Sequence, residues 1–190
     1  TLVNSVGEFP IGIKKFVLKA DPTELKKELQ AQINKIKSLG IKPTHIDSHE
    51  GALFFNKEHF RVYLEVGEEN KLPVFVPRGV DAHFGKGFSK PKNVVVIKDL
   101  YMARKGLKKT KWKEFYLNTI RGLKPGISQL IVHLSYDDNE MREISIDHPD
   151  YGAKWRHLDY EAVTNISFKK ALKQNDIKLV TWKEIQKVLY

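Results

Sequence analysis

The 190-residue sequence contains no cysteine. That excludes a disulfide framework and any metal site built on thiolates, and it leaves the compartment open, because cysteine-free chains occur on both sides of a membrane. No apolar run approaches the roughly 20 residues that a membrane-spanning helix needs, and the N-terminus lacks the basic-then-apolar pattern of a secretory signal. No Gly-x-Gly-x-x-Gly follows a strand pattern and no Walker loop occurs, which argues against a nucleotide cofactor. RRM, KH and zinc-finger signatures are missing too. Without internal repeats or low-complexity linkers, residues 1–190 read as a single domain.

What is present is ordinary in bulk and uneven in detail. Apolar residues make up 41% and charged residues 29%, the balance of a water-exposed globular chain with a core. The net charge of +10 is concentrated: from Lys86 to Lys113 ten lysines and arginines stand against one acid, Asp99. Phe88, Tyr101 and Trp112 lie within that stretch. Such a run suits a solvated surface first, an acidic or sugar-phosphate ligand second, and a nucleic-acid backbone last.

Local patterns predict alternating helices and strands. Asp21 stands at an N-cap, Pro22 at the first helical position and Glu24 three after the cap. Leu25, Leu29, Ile33, Ile36 and Leu39 follow at helical spacing, and Gly40 marks the stop. Further helices are expected over about 57–70, 111–123, 160–174 and 182–189. Strands are expected at Pro43–Asp47, Val74–Val76, Val94–Ile97, Gln129–Val132 and Lys178–Thr181. Five nearly continuous apolar strands, most followed by helices, point to a parallel α/β sheet.

Ligands of parallel α/β folds bind beyond the C-terminal strand ends. Those ends read Asp47-Ser48-His49, Pro77-Arg78, Lys98-Asp99 and His133. In an extended segment His45, Asp47 and His49 point to one side, so all three can face one cavity. Imidazole with carboxylate suits a divalent ion such as zinc or magnesium. The plainer alternative is a histidine satisfying a core hydrogen bond and an aspartate capping a turn. His133 is either a buried, hydrogen-bonded histidine or a proton donor near neutral pH. Arg78 suits the orientation of a carboxylate or the binding of an oxyanion, or it is an ordinary surface arginine. His59, His83, His148 and His157 fall in helices or loops and receive no role.

The run Lys42-Pro43-Thr44-His45-Ile46-Asp47-Ser48-His49 resembles the motif of the YdjC-like (ChbG-type) carbohydrate deacetylases. Gln129-Leu130-Ile131-Val132-His133 is similar to a late strand of that family, and Asn175 to Trp182 looks like its last strand. Two departures stand out: Glu50-Gly51-Ala52-Leu53 replaces the family's further histidines, and Leu134 follows the late histidine where proline is common. The family's opening Ala-Asp-Asp strand does not occur, and the chain starts at Thr1, not at methionine. The expectation is therefore a distorted, parallel-stranded (β/α) barrel with five of about seven strands, N-terminally incomplete.

The resemblance implies a metal-dependent hydrolase that removes acetyl groups from N-acetylated sugars. By it, His49 is a metal ligand for magnesium or zinc, His133 and Arg78 are catalytic, and His45 and Asp47 support the metal or touch substrate. The catalytic base would lie before Thr1. The expected partner is an acetylated mono- or oligosaccharide, with no membrane, nucleic acid ranked last and room for a homo-oligomer. The cytoplasm is favoured, with a secreted or periplasmic location following if a leader preceded Thr1. A non-catalytic or differently specific metal-binding homologue is the first alternative, and a basic nucleic-acid-binding module the second.

Overall fold

The computed structural model describes residues 2–10, 12–80, 91, 94–148 and 150–190. Helices α1 (Ile13–Lys19), α2 (Pro22–Ser38) and α3 (Lys57–Glu69) precede strands β1 (Phe75–Pro77), β2 (Val95–Ile97) and β3 (Asp99–Met102). Helix α4 (Trp112–Gly122), strand β4 (Ser128–Ile131) and helices α5 (Asn139–Ile144), α6 (Ala153–Thr164), α7 (Ile166–Gln174) and α8 (Trp182–Leu189) complete the order. β1 pairs with β2 in parallel, Phe75 opposite Val95, and β3 pairs with β4 in parallel, Asp99 opposite Ser128. The α/β class and the parallel pairing stand as expected.

Contacts divide the chain into two compact units, Thr1–Ile97 with Val180–Tyr190, and Lys98–Leu179. In the first, the Asp21 carboxylate accepts the Thr23 and Glu24 N–H groups at 2.9 and 3.0 Å and so starts α2. Gly40, at φ +77°, lets the chain leave that helix in the left-handed region. Leu25 and Ile33 of α2 pack with Phe60, Tyr63 and Val66 of α3 and with Val74 and Val76. Phe60, Val66 and Val76 are fully buried, and each contributes about 1.5–3 kcal/mol of apolar burial. A second cluster sets Phe75, Val95 and Ile97 against Trp182, Ile185 and Leu189 of α8. A reciprocal Thr181–Glu184 capping box opens that helix.

The second unit is built on Trp112, Tyr116 and Ile120 of α4, Ala162 of α6, and Phe168 and Ala171 of α7. Where a helix over 160–174 is expected, the chain forms two. Asn165 is extended at φ −63°, ψ 140°, ending α6 and capping α7 through Oδ1, which accepts the Ser167 N–H at 3.0 Å.

Two expected strands are corrected. Pro43–Asp47 pairs only at Ile46, whose N–H donates to Pro73 and whose carbonyl accepts from Phe75. The next rung back needs an N–H at position 73, which proline lacks. Lys178–Thr181 is an open connection with Leu179 74% and Val180 49% exposed, and it joins no sheet among the described residues. Conversely, β3 arises where Asp99-Leu100-Tyr101-Met102 has no β-branched residue to announce it. The described residues thus form four strands and one isolated bridge in place of the five strands expected.

Candidate functional site

The first unit holds His45, Asp47, His49 and Arg78; the second holds His133. Within the first, His45 and Asp47 line one cavity of about 190 Å³ with Leu29, Gln32, Ile33, Pro43 and Tyr63 among its walls. Their i, i+2 relation in extended chain puts both on that side, as the spacing predicts. His49 is not part of the lining, because the chain curls after Ser48. Ser48, buried, accepts the Leu53 N–H on Oγ at 3.0 Å and the Gly51 N–H on its carbonyl at 2.7 Å. Glu50 (φ 53°) and Gly51 (φ 69°) take left-handed conformations to close this turn. The middle residue of the Asp-Ser-His motif therefore shapes the backbone that presents the third.

The motif is pinned from both flanks. The Tyr63 hydroxyl of α3 donates to the carbonyls of Ile46 at 2.8 Å and Phe75 at 3.0 Å. Burial, with the Asp47 charge adding, raises that phenol well above its ordinary value, so it stays a donor. On the other side the His45 ring stacks on Trp182, centroids 4.6 Å apart and planes 4° from parallel, while Thr44 Oγ1 lies 3.2 Å from its Nδ1.

Charge follows the same geometry. Burial lowers the His45 imidazole from its ordinary value. Asp47 is exposed as a residue, yet desolvation raises its carboxyl, against the opposing pull of the Ser48 N–H and of nearby His49. Asp47 and His49 are thus two donors within electrostatic reach of each other. Among the described residues no group of three or more His, Cys, Asp or Glu side chains is placed to hold a metal ion. The donor types suit a divalent ion, but their number falls short of the roughly three protein ligands of an open catalytic site. Arg78 is exposed directly after β1, and its N–H donates to Ile97 at 3.0 Å.

In the second unit His133 follows β4 with its side chain 29% exposed. Its backbone N–H donates to Asp159 Oδ2 at 2.9 Å, and its ring Nδ1 lies 4.0 Å from the same oxygen. Asp159, 1% exposed on α6, also accepts from Trp112 Nε1 at 2.8 Å and the Tyr116 hydroxyl at 2.5 Å, both on Oδ1. Burial, then this bond to Asp159, pushes the Tyr116 phenol far above its ordinary range. Tyr151 packs on His133 at 5.1 Å and on Trp155 at 4.5 Å, and it adopts φ +71°, a costly conformation for a bulky residue.

Neither Asp159 nor Tyr151 is singled out by motif reading. A signal for Asp159 exists: Trp155, Leu158, Ala162 and Val163 form a helical apolar stripe, and Asp159 stands in it. The third expected strand end, Lys98-Asp99, directly follows β2 and is also the entry to β3. Of the basic stretch, Lys105 pairs with Asp150, Lys111 with Glu114, and the Lys98 ammonium donates to the Pro125 carbonyl. Lys86, Lys90, Lys92, Phe88 and His83 lie outside the described residues. Among the described residues no helix is long and apolar enough to cross a membrane.

The chain is similar to known proteins along nearly its whole length. The carbohydrate deacetylase of Thermus thermophilus is 27% identical over 199 residues, covering 100% of this chain and 70% of the relative. That of Thermoanaerobacter pseudethanolicus is 27% identical over 183 residues, covering 96% of this chain and 68% of the relative. A crystal structure from Enterococcus faecalis, described as a cellobiose-phosphate cleavage protein, shares the fold with a TM-score of 0.75. It is 21% identical and covers 96% of this chain and 68% of its own. The model of the YdjC-like protein family matches residues 1–174, and this chain belongs to that family.

Proposed function

We propose that the protein is a metal-dependent hydrolase that removes acetyl groups from N-acetylated sugars or oligosaccharides. What supports this most is the His45–Asp47 pair lining a cavity inside the deacetylase-like motif, in a chain whose curated relatives are carbohydrate deacetylases. The finer fold expectation, a distorted (β/α) barrel, belongs to the same reading.

Hydrolysis of an acetamide adds water to the carbonyl carbon and breaks the carbon–nitrogen bond, and the departing amine needs a proton. His133 is the donor of that proton in this reading: a part-exposed imidazole, placed at the end of β4, can give it up as the bond breaks. Arg78, exposed beyond β1, binds a substrate oxyanion or steers a carboxylate. Asp47 orients polar groups at the mouth of the cavity, and His45 supports it from its stack on Trp182. A divalent ion, magnesium or zinc, held by His49 would polarise the acetyl carbonyl. Among the described residues no group of three or more His, Cys, Asp or Glu side chains is gathered around Asp47 and His49.

The test is acetate release from N-acetylglucosamine oligomers by the full gene product, with added divalent metal and then with chelator. Metal-dependent release that falls by about 100-fold or more in His133→Ala and His49→Ala is expected. Release untouched by chelator would remove the metal from the reading. No release from any acetylated sugar under any metal would end the deacetylase assignment and favour a non-catalytic homologue.

A further inference from the structure

We propose that Asp159 is the positioning residue of the second unit's histidine: a buried carboxylate that holds the backbone of His133 and sets the orientation of its ring. The inference rests on His133 being the proton donor of the proposed reaction, but the structural part can be tested without activity.

The two oxygens of Asp159 divide their work. Oδ1 takes the Trp112 indole N–H and the Tyr116 hydroxyl, side chains four residues apart on one face of α4. Oδ2 faces His133, receiving its backbone N–H at 2.9 Å and lying 4.0 Å from ring Nδ1. One oxygen is locked to the scaffold and the other is presented to the residue of interest. At 4.0 Å the ring contact is longer than a hydrogen bond, and a small turn about the side-chain torsions would bring it within range. Contacts of this kind are often long before substrate binds.

Energetics favour a role beyond cohesion. Burying a carboxylate at 1% exposure is costly even with three donors, and an apolar residue would serve a core in need of packing alone. The neighbouring wall points the same way. Tyr151, in a strained left-handed conformation, closes on the His133 ring with Trp155 behind it. Packed on one side and facing a carboxylate at Nδ1, the imidazole is held to the tautomer with hydrogen on Nδ1. Nε2 is then the nitrogen that carries the transferable proton.

The experiment combines nitrogen NMR of the His133 ring with kinetics on wild type, Asp159→Asn and Tyr116→Phe. In wild type the Nδ1–H tautomer is expected to dominate. Asp159→Asn should bring the two tautomers to within about threefold of each other, and lower kcat about 10- to 100-fold with KM little changed. Tyr116→Phe removes a donor to Oδ1 only and should leave the His133 spectrum as it is. A folded Asp159→Asn with the wild-type spectrum and kcat overturns the proposal. If Asp159→Asn does not fold, wild type decides: a dominant Nε2–H tautomer overturns it. Should wild type release no acetate, the proposed reaction fails, while the tautomer measurement still settles the positioning role.

Discussion

The His45 imidazole lies flat on Trp182, and its burial lowers it from the ordinary value of 6.5. As pH drops below 6.5 the unfolded chain takes up a proton that the folded chain resists. Stability should therefore rise with pH from the lowered folded value up to 6.5, and fall as acid is added from above it. His45→Phe keeps an aromatic ring on Trp182 and removes the titration. Urea midpoints measured from about pH 8 to about pH 5 are expected to fall more steeply in wild type than in the variant. Parallel profiles would show that His45 protonates as easily folded as unfolded. At this scale much of the site is legible in the sequence: the eight-residue motif names His45, Asp47 and His49, and the late apolar strand names His133. Asp159 is not legible by motif, because a single aspartate in a helix carries no spacing signal. Its meaning comes from Trp112 and Tyr116, more than forty residues away in the chain.

Helix α3 does more for the site than its own residues suggest. It carries Tyr63 to the carbonyls of Ile46 and Phe75, and at Gly67 it comes close to the residues that lead into β1. A Cβ at Gly67 would meet Val74 Cγ1 at 2.2 Å and the Leu72 carbonyl at 3.0 Å. Val74 is 3% exposed and has no room to retreat. In an open helix Gly→Ala stabilises by about 1 kcal/mol; here overpacking of about 1–3 kcal/mol should win. Gly67→Ala is thus expected to lower stability in urea, and a more stable variant would show that the approach is looser than described. The start of α2 is legible in sequence, since Asp21 caps through atoms of its own neighbourhood, whereas α6 begins at Ala153, ahead of the expected 160. Strands fared worse. β3 has no β-branched residue to announce it, and the Pro43–Asp47 segment is cut short by a proline in its partner.

Over the whole chain, the first unit is closed by its far end. Trp182, Ile185 and Leu189 pack on Phe75, Val95 and Ile97, and Gln186 donates to the Lys71 carbonyl at 2.9 Å across 115 residues. Truncation after Thr181 strips three apolar side chains from the β1–β2 sheet and leaves His45 without its stack. The expected loss is about 3–6 kcal/mol by urea denaturation, given about 1–2 kcal/mol for each half-buried side chain. A truncated chain as stable as the parent would mean that α8 is an appendage.

Helix caps, apolar periodicities, the motif and the α/β class were written in neighbouring residues, because backbone capping, side-chain period and short spacing act over a few positions. Strand pairing, the curl that turns His49 from the cavity, the His45–Trp182 stack and the Asp159 hub were settled only in three dimensions. Each depends on a group remote in sequence supplying a hydrogen bond, a packing surface or a charge, and no local pattern records which remote group that will be.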